Sequence, residues 1–238
     1  MKQLVYCILR ARPRGQERLP AGVAGAAVSF VSAADLVAAV SRVPDSSPAL
    51  DAARAVAYAR VIAALAANRA VLPLRYGCLL ASAAQVRELL RARRAEFAAL
   101  LGEFDGCVEM GLRVLLPVAA DPTADCPSRG TKPRSGAAYL AGRGAAYARR
   151  DAERESIAAT GTNLRCAFDP LCVQSCASAR AVGDKLLVSL HFLVRREQVG
   201  AFRGRFRQLQ AQHTQRMLLT GPWAPYNFVP SPAAGPAS

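Results

Sequence analysis

Two kinds of hydrophobic periodicity alternate along the first 118 residues of this 238-residue chain. Apolar residues recur at helical spacing over residues 50–65 and again over residues 86–101. Strand-type runs occupy residues 3–9 and 107–118, and in the second run apolar and polar side chains alternate. Strands and helices in this mixed order around one core predict an α+β fold.

The second half of the chain begins after a polar segment rich in proline and glycine, residues 121–137. Such a composition predicts a linker or mobile loop. We therefore expect an N-terminal α+β domain over residues 1–120, a C-terminal domain over residues 138–229, and a disordered tail over residues 230–238.

Several segments are less distinct in the sequence. Residues 35–43 fit either a strand or a short helix, and residues 163–181 match neither pattern. Ser82 is placed to cap a single long second helix. A polar helix is expected near residues 139–160, and a strong strand over residues 185–194.

The composition is that of a folded protein, with 52% apolar and 20% charged residues, and not that of a disordered one. The net charge of +14 suggests nucleic acid or an anionic membrane as a partner. However, the positive charge is spread over both halves, and the arginines are not interleaved with aromatic residues. We expect neither nucleic acid nor membrane as a partner, and keep a basic nucleic-acid-binding module as an alternative.

The N-terminal residues do not have the layout of a secretion signal, because arginines follow a short apolar run. No stretch is apolar and long enough for a convincing membrane span. We therefore expect a cytoplasmic protein whose seven cysteines are reduced thiols.

A search for catalytic motifs finds no GxSxG, HExxH, Walker A or GxGxxG element. Cys166, Cys172 and Cys176 lie close together, but their C-x5-C-x3-C spacing matches no common zinc or iron–sulfur site. We expect no catalysis, cofactor or metal; a thiol or metal enzyme that uses these cysteines and His191 is the other alternative.

The stretch "VLPLRYG" interrupts a strand with Pro73 and Arg75 and ends it with Gly77. Proline belongs on a sheet edge, because it has no N–H to donate. Arginine needs a partner if it is buried, and we hypothesise an ion pair with Glu109 of the next strand. Tyr76 and Gly77 would then turn the chain away from the sheet.

The C-terminal stretch "GPWAPYNFV" contains the only tryptophan of the chain between two prolines. It formally contains a PxxP ligand motif. We favour a stiff extended segment that docks its aromatic residues on the surface of the same protein.

Four segments in this order, "QLVYCIL", "VLPLRYG", "GCVEMGLRV" and "LTGPWAPYNFV", resemble the GvpF/GvpL family of gas vesicle accessory proteins. Tyr58 stands where the family usually has histidine, and residues 163–181 differ from the family pattern.

The resemblance implies a cytoplasmic two-domain α+β protein whose C-terminal domain is a modified ferredoxin-like fold. It also implies a non-enzymatic role in gas vesicle assembly, as nucleation factor, chaperone or minor shell component. The expected partners are the small hydrophobic shell subunit and other accessory proteins. The motif residues expected to be structural or partner contacts are Leu72, Pro73, Leu74, Arg75, Tyr76, Gly77, Glu109, Gly111, Gly221, Pro222, Trp223, Pro225 and Tyr226.

Overall fold

The computed structural model describes residues 1–11, 19–44, 51–117, 159–183 and 185–230. The chain divides into two compact units. Within the described residues, the N-terminal unit contains Met1–Met110, Leu193–Val199 and the residues from Gly221 onward, and the C-terminal unit contains the rest.

The N-terminal unit contains an antiparallel sheet of five strands: β1 (Lys2–Arg10), β2 (Val28–Ala33), β3 (Leu36–Val43), β4 (Leu72–Pro73) and β5 (Leu79–Leu80). The strand order is β2-β3-β1-β4, and β5 also pairs with β1. Of the ambiguous residues 35–43, Leu36–Val43 form strand β3, because this segment is paired along both of its edges.

Three helices cover this sheet: α1 (Ala52–Ala66), α2 (Ala83–Ala92) and α3 (Arg94–Glu103). Asp51 caps α1, because its carboxylate accepts a hydrogen bond from the Arg54 N–H at 2.8 Å. Ser82 caps α2 in the same way, because its hydroxyl oxygen accepts a hydrogen bond from the Gln85 N–H at 3.3 Å. The single second helix that the sequence predicted is two helices, because the backbone of Arg93 (φ −109°, ψ 23°) leaves the helical region between them.

A register shift between Val5 and Cys7 decides which side chains of β1 face which helices. Tyr6 and Cys7 both lie in the buried cluster built on α1, whereas Val5 and Ile8 lie in the cluster built on α2 and α3. Strict alternation would place Tyr6 and Cys7 on opposite faces. The bulge therefore directs two consecutive side chains to the α1 face.

The second sheet is formed by β6 (Cys107–Pro117), β7 (Gln174–Val182), β8 (Lys185–Arg195) and β9 (Arg216–Trp223), in the order β7-β8-β6-β9. Helix α4 (residues 159–166) precedes β7, and helix α5 (Val199–Gln212) lies between β8 and β9. This β-α-β-β-α-β succession is that of a ferredoxin-like domain. The predicted α+β class is confirmed.

Three buried phenylalanines form the centre of the C-terminal unit. The ring of Phe168 lies 4.3 Å from that of Phe202, and Phe192 lies 5.2 Å from both. These residues come from α5, β8 and the turn after α4, so the aromatic contacts join elements distant in sequence.

The predicted linker (residues 121–137), most of the predicted polar helix and the tail beyond residue 230 lie outside the described residues. Neither compact unit is continuous in sequence: Leu193–Val199 and the residues from Gly221 onward belong to the N-terminal unit, whereas β6 from Gly111 onward belongs to the C-terminal unit. None of the helices in the described ranges has the length and apolar character needed to cross a membrane.

Candidate protein-binding site

The C-terminal segment, residues 221–230, packs on the core of the N-terminal unit. Ala224 and Pro225 are buried, and Tyr226 packs against the α1 cluster. Phe228 packs against the opposite cluster, built on α2 and α3. The predicted docking therefore occurs at Tyr226 and Phe228, but the side chain of Trp223 stays 55% exposed.

Buried Glu109 holds this segment in place. Its Oε2 accepts a hydrogen bond from the Asn227 backbone N–H at 2.9 Å, and its Oε1 accepts one from the Asn227 side-chain amide at 2.6 Å. Hydrogen bonds to a charged acceptor are among the stronger ones in proteins. Two of the family motifs are thus joined directly.

The hypothesised ion pair between Arg75 and Glu109 is wrong. Arg75 is exposed to solvent, and among the described residues it forms no ion pair with Glu109. Amide donors from Asn227 reach the buried carboxylate without desolvating a guanidinium group, which would cost on the order of several kcal/mol.

Two motif glycines allow β6 and β9 to approach closely. Gly221 has φ +107°, and a Cβ added there would lie 2.6 Å from the Glu109 carbonyl oxygen. A Cβ added at Gly111 would lie 2.7 Å from the hydroxyl oxygen of Thr220, which donates to the Gly111 carbonyl at 3.3 Å. A larger residue at Gly221 would push against the backbone of β6, whereas one at Gly111 would displace the Thr220 side chain.

The "VLPLRYG" motif forms the sheet edge and the turn after it. Pro73 lies in the edge strand β4, opposite Cys7, as its missing N–H predicted. Leu72 is fully buried, and the Leu74 N–H donates to the Tyr6 carbonyl at 2.9 Å. After it, Gly77 (φ +95°) lies in a turn that the Cys78 N–H closes on the Arg75 carbonyl at 3.3 Å.

Tyr58 of α1 connects this motif to the sheet. Its hydroxyl lies 2.9 Å from the Val5 and Leu74 carbonyl oxygens and 3.2 Å from that of Tyr6. Its ring packs 4.9 Å from the ring of Tyr6 and 5.3 Å from that of Tyr76. Burial raises the pKa of Tyr58 well above its ordinary value, so the phenol stays a neutral donor. The sequence located Tyr58 in the buried helical stripe but gave no sign of these acceptors.

An open groove of about 550 Å³ lies between the outward face of α1 and the C-terminal segment. We call it the α1 groove. Its α1 side carries small or apolar residues, and its far side is the proline-flanked Trp223. The residues of its α1 side and floor include Val56, Ala59, Ala63, Ala66, Ala67, Val71, Phe104 and Val108. Sequence reasoning identified Pro222, Trp223, Pro225 and Tyr226 of this groove but not its α1 side.

Within the part of the chain that the structure describes, the charged side chains that line the α1 groove are Arg60, Arg69 and Arg196. The Arg196 guanidinium donates to the carbonyl of Ala66, the last residue of α1, and its backbone N–H donates to the Gly106 carbonyl at 2.9 Å. This places a positive charge at the negative end of the helix dipole. The groove is therefore apolar inside and basic at its rim.

The cysteines do not form a metal centre within the described part of the chain, where no three His, Cys, Asp or Glu side chains are grouped to hold an ion. Cys166 is exposed, and burial raises the pKa of the Cys172 thiol. His191 is half-buried on strand β8.

Two solved structures with the same fold are gas vesicle proteins. The crystal structures of GvpF from Anabaena sp. PCC7120 and from Microcystis aeruginosa each match with a TM-score of 0.74. The first is 18% identical, with 95% of each chain covered; the second is 14% identical, with 95% of this chain and 98% of that one covered.

The sequence comparisons lead to the same class of protein. Gas vesicle protein F2 of Halobacterium salinarum is 29% identical, with 87% of this chain and 83% of the relative covered. Gas vesicle protein L of a Streptomyces species is 31% identical, with 95% and 92% covered. The chain belongs to the gas vesicle synthesis protein GvpL/GvpF family, whose model matches residues 3–230. It is thus a gas vesicle accessory protein.

Proposed function

We propose that this chain is a non-enzymatic assembly protein that contacts the small hydrophobic shell subunit and other gas vesicle proteins through its N-terminal unit. The observation that carries the proposal is the position of Trp223. The C-terminal motif is anchored on the N-terminal unit through Asn227, yet the tryptophan in that motif stays exposed beside an apolar groove.

A hydrophobic shell subunit must keep its apolar surface out of water until it is incorporated. A partner covers such a surface best with its own exposed apolar patch, in which a large aromatic side chain often contributes much of the binding energy. Val56 and Trp223 are among the few large apolar side chains exposed in the described residues, and both line the α1 groove. This supports a contact surface at the groove.

The edge of the N-terminal sheet supports such a contact less well. Strand β4 is only two residues long, and both Leu72 and Pro73 are buried. A strand that adds to a sheet needs a row of free backbone donors and acceptors, which such a short edge with a proline does not provide. We therefore place the proposed contact at the groove and not at the "VLPLR" edge.

The proposed role covers nucleation, chaperoning of the shell subunit or incorporation as a minor shell component. It takes place in the cytoplasm and at the gas vesicle. Neither nucleic acid nor a membrane is a partner in this proposal. The basic rim of the α1 groove would speed encounters with acidic protein surfaces.

The test is co-expression with the small shell subunit of the same source, followed by sedimentation and affinity pull-down. We expect the subunit to remain soluble and to co-purify with this chain. Trp223→Ala should reduce co-purification, whereas Leu218→Ala, which removes an equally exposed apolar side chain elsewhere, should not. If the subunit pellets alone beside wild-type protein, the proposal is wrong.

A further inference from the structure

We propose that the α1 groove binds an amphipathic α-helix of a partner protein, with the apolar face of that helix on α1 and acidic side chains against the arginine rim. This inference deepens the proposed function and rests on it. It names the secondary structure and the charge of the segment that the protein recognises.

The backbone around the groove favours a helix over an extended segment. On one side lies α1, whose central N–H and C=O groups are used within the helix. On the other side Pro222 and Pro225 have no N–H to donate. An extended peptide would therefore lack backbone partners here. A helix satisfies its own backbone and needs only an apolar surface.

The side chains on α1 favour the same occupant. Ala59 and Ala63 are exposed on one line of the helix, and the exposed C-cap residue Ala67 follows four residues later. Small residues in such a line allow the axis of a second helix to approach to about 8 Å. Val56 continues this line at its N-terminal end, and Trp223 stands on the far side.

The charges around the groove determine the sign of the charge that the partner helix must carry. Helix α1 contains no acidic residue, and among the described residues the side chains that line the groove include three arginines and no carboxylate. Arg60 is exposed on the same helix as the alanine line, and the hydrogen bond to Ala66 holds the Arg196 side chain at its end. A helix with lysines at its margins would be repelled, and one with glutamates would be attracted.

The single tryptophan makes the inference directly measurable, because every change in tryptophan emission reports on Trp223. The probe is a tryptophan-free peptide of about 18 residues, long enough to cover the length of α1. It carries leucine and alanine on one face and glutamate at the margins. The control peptide has the same apolar face with lysine in place of glutamate.

We expect the glutamate peptide to shift the emission to shorter wavelength, to protect Trp223 from acrylamide quenching, and to saturate. The lysine peptide should bind at least about tenfold more weakly at low salt. Arg60→Glu should weaken the binding of the glutamate peptide about tenfold and strengthen the binding of the lysine peptide. Arg87→Glu, the same charge change at an exposed position of α2 outside the groove, should change neither.

Three outcomes would overturn the inference: no saturable change in emission with either peptide, equal affinity for both peptides, or equal loss in Arg60→Glu and Arg87→Glu. A fourth would be tighter binding of a single-stranded oligonucleotide at the same site, which would make the groove a nucleic-acid site. Ala63→Glu is a second variant, at an exposed helical position. It should fold normally and should also weaken the binding of the glutamate peptide.

The pull-down separates this inference from the proposed function. If wild-type protein retains the shell subunit and other gas vesicle proteins, and Arg60→Glu and Ala63→Glu retain them equally well, the proposed function stands and the helix-binding groove is wrong. If wild-type protein retains no gas vesicle protein, the proposed function fails, whatever the peptides do.

Discussion

The carboxylate of Glu109 and the amide groups of Asn227 lie 2.6 and 2.9 Å apart, in a site where Glu109 is only 4% exposed. Residues 118 positions apart in the sequence are thereby joined by two charge-assisted hydrogen bonds. The contact connects strand β6 to the C-terminal segment and keeps one wall of the α1 groove in place.

Glu109→Ala should destabilise the protein by about 2–3 kcal/mol, because it removes two hydrogen bonds to a buried carboxylate that hold the C-terminal segment. Chemical unfolding measures the free energy, and Trp223 emission reports on the segment. The exposed Glu103→Ala should stay within about 0.5 kcal/mol of wild type. Unchanged stability in Glu109→Ala would show that Glu109 does not hold the segment.

Arg75→Ala should leave the free energy of unfolding within about 0.5 kcal/mol of wild type, because Arg75 is exposed and not paired with Glu109. An Arg75–Glu109 ion pair would instead require a loss similar to that of Glu109→Ala. Thermal unfolding of the two variants side by side distinguishes these cases. A large loss in Arg75→Ala would contradict the assignment of Asn227 as the partner of Glu109.

Gly221→Ala should cost more stability than Gly77→Ala. Both glycines have positive φ, +107° and +95°, so each substitution strains the backbone by about 1–3 kcal/mol. At Gly221 the new Cβ also meets the Glu109 carbonyl oxygen at 2.6 Å, whereas at Gly77 it meets nothing within 4 Å. Denaturant unfolding gives the free energy of unfolding of each variant, and the difference between the two measures the cost of the contact between the new Cβ and the Glu109 carbonyl oxygen. Equal losses would mean that the strands separate without cost.

Tyr58→Phe should destabilise the N-terminal unit by about 1–3 kcal/mol, because the buried carbonyl of Val5 and the half-buried carbonyl of Leu74 lose a donor. The ring contacts with Tyr6 and Tyr76 remain, so the loss isolates the hydroxyl. Hydrogen exchange should accelerate around β4 and α1 more than around α5. If exchange accelerated only in the C-terminal unit, the assigned role of the hydroxyl would be wrong.

Stability should fall as the pH rises above the ordinary pKa of a thiol. Burial raises the pKa of Cys7 from 9.0 to about 12. Between these values the unfolded chain releases a proton that the folded chain keeps, so the unfolded state binds fewer protons and gains in relative stability. The raised pKa values of Tyr58 and Tyr226 act in the same direction above pH 10.0.

The measurement is the free energy of unfolding from about pH 8 to about pH 11. Cys7→Ala should be less stable at the lower pH, since it leaves a cavity, but its stability should fall less steeply with pH. Parallel pH profiles for the two proteins would rule out the contribution of Cys7. The exposed Cys166 provides the control substitution, Cys166→Ala, which should preserve the wild-type slope.

Local signals predicted most of the elements correctly, because they depend on neighbouring residues. Alternation identified β6, an apolar run identified β1, and Ser82 identified the start of α2. Pro73 was correctly expected at a sheet edge, since the reason for that position is a property of the residue itself. The break at Arg93 was missed, because the apolar stripe continues at helical spacing across it.

By itself the sequence determined the α+β class, the strands and helices with a clear periodicity, the family motifs and a basic chain without a recognisable catalytic pattern. Only the tertiary structure decided that Glu109 bonds to Asn227 and not to Arg75, that Tyr6 and Cys7 share one face, and that α1 and Trp223 enclose a groove. The physical reason is that periodicity and capping act within a few residues, whereas the partner of a buried polar group depends on which distant donors the packed chain brings within about 3 Å.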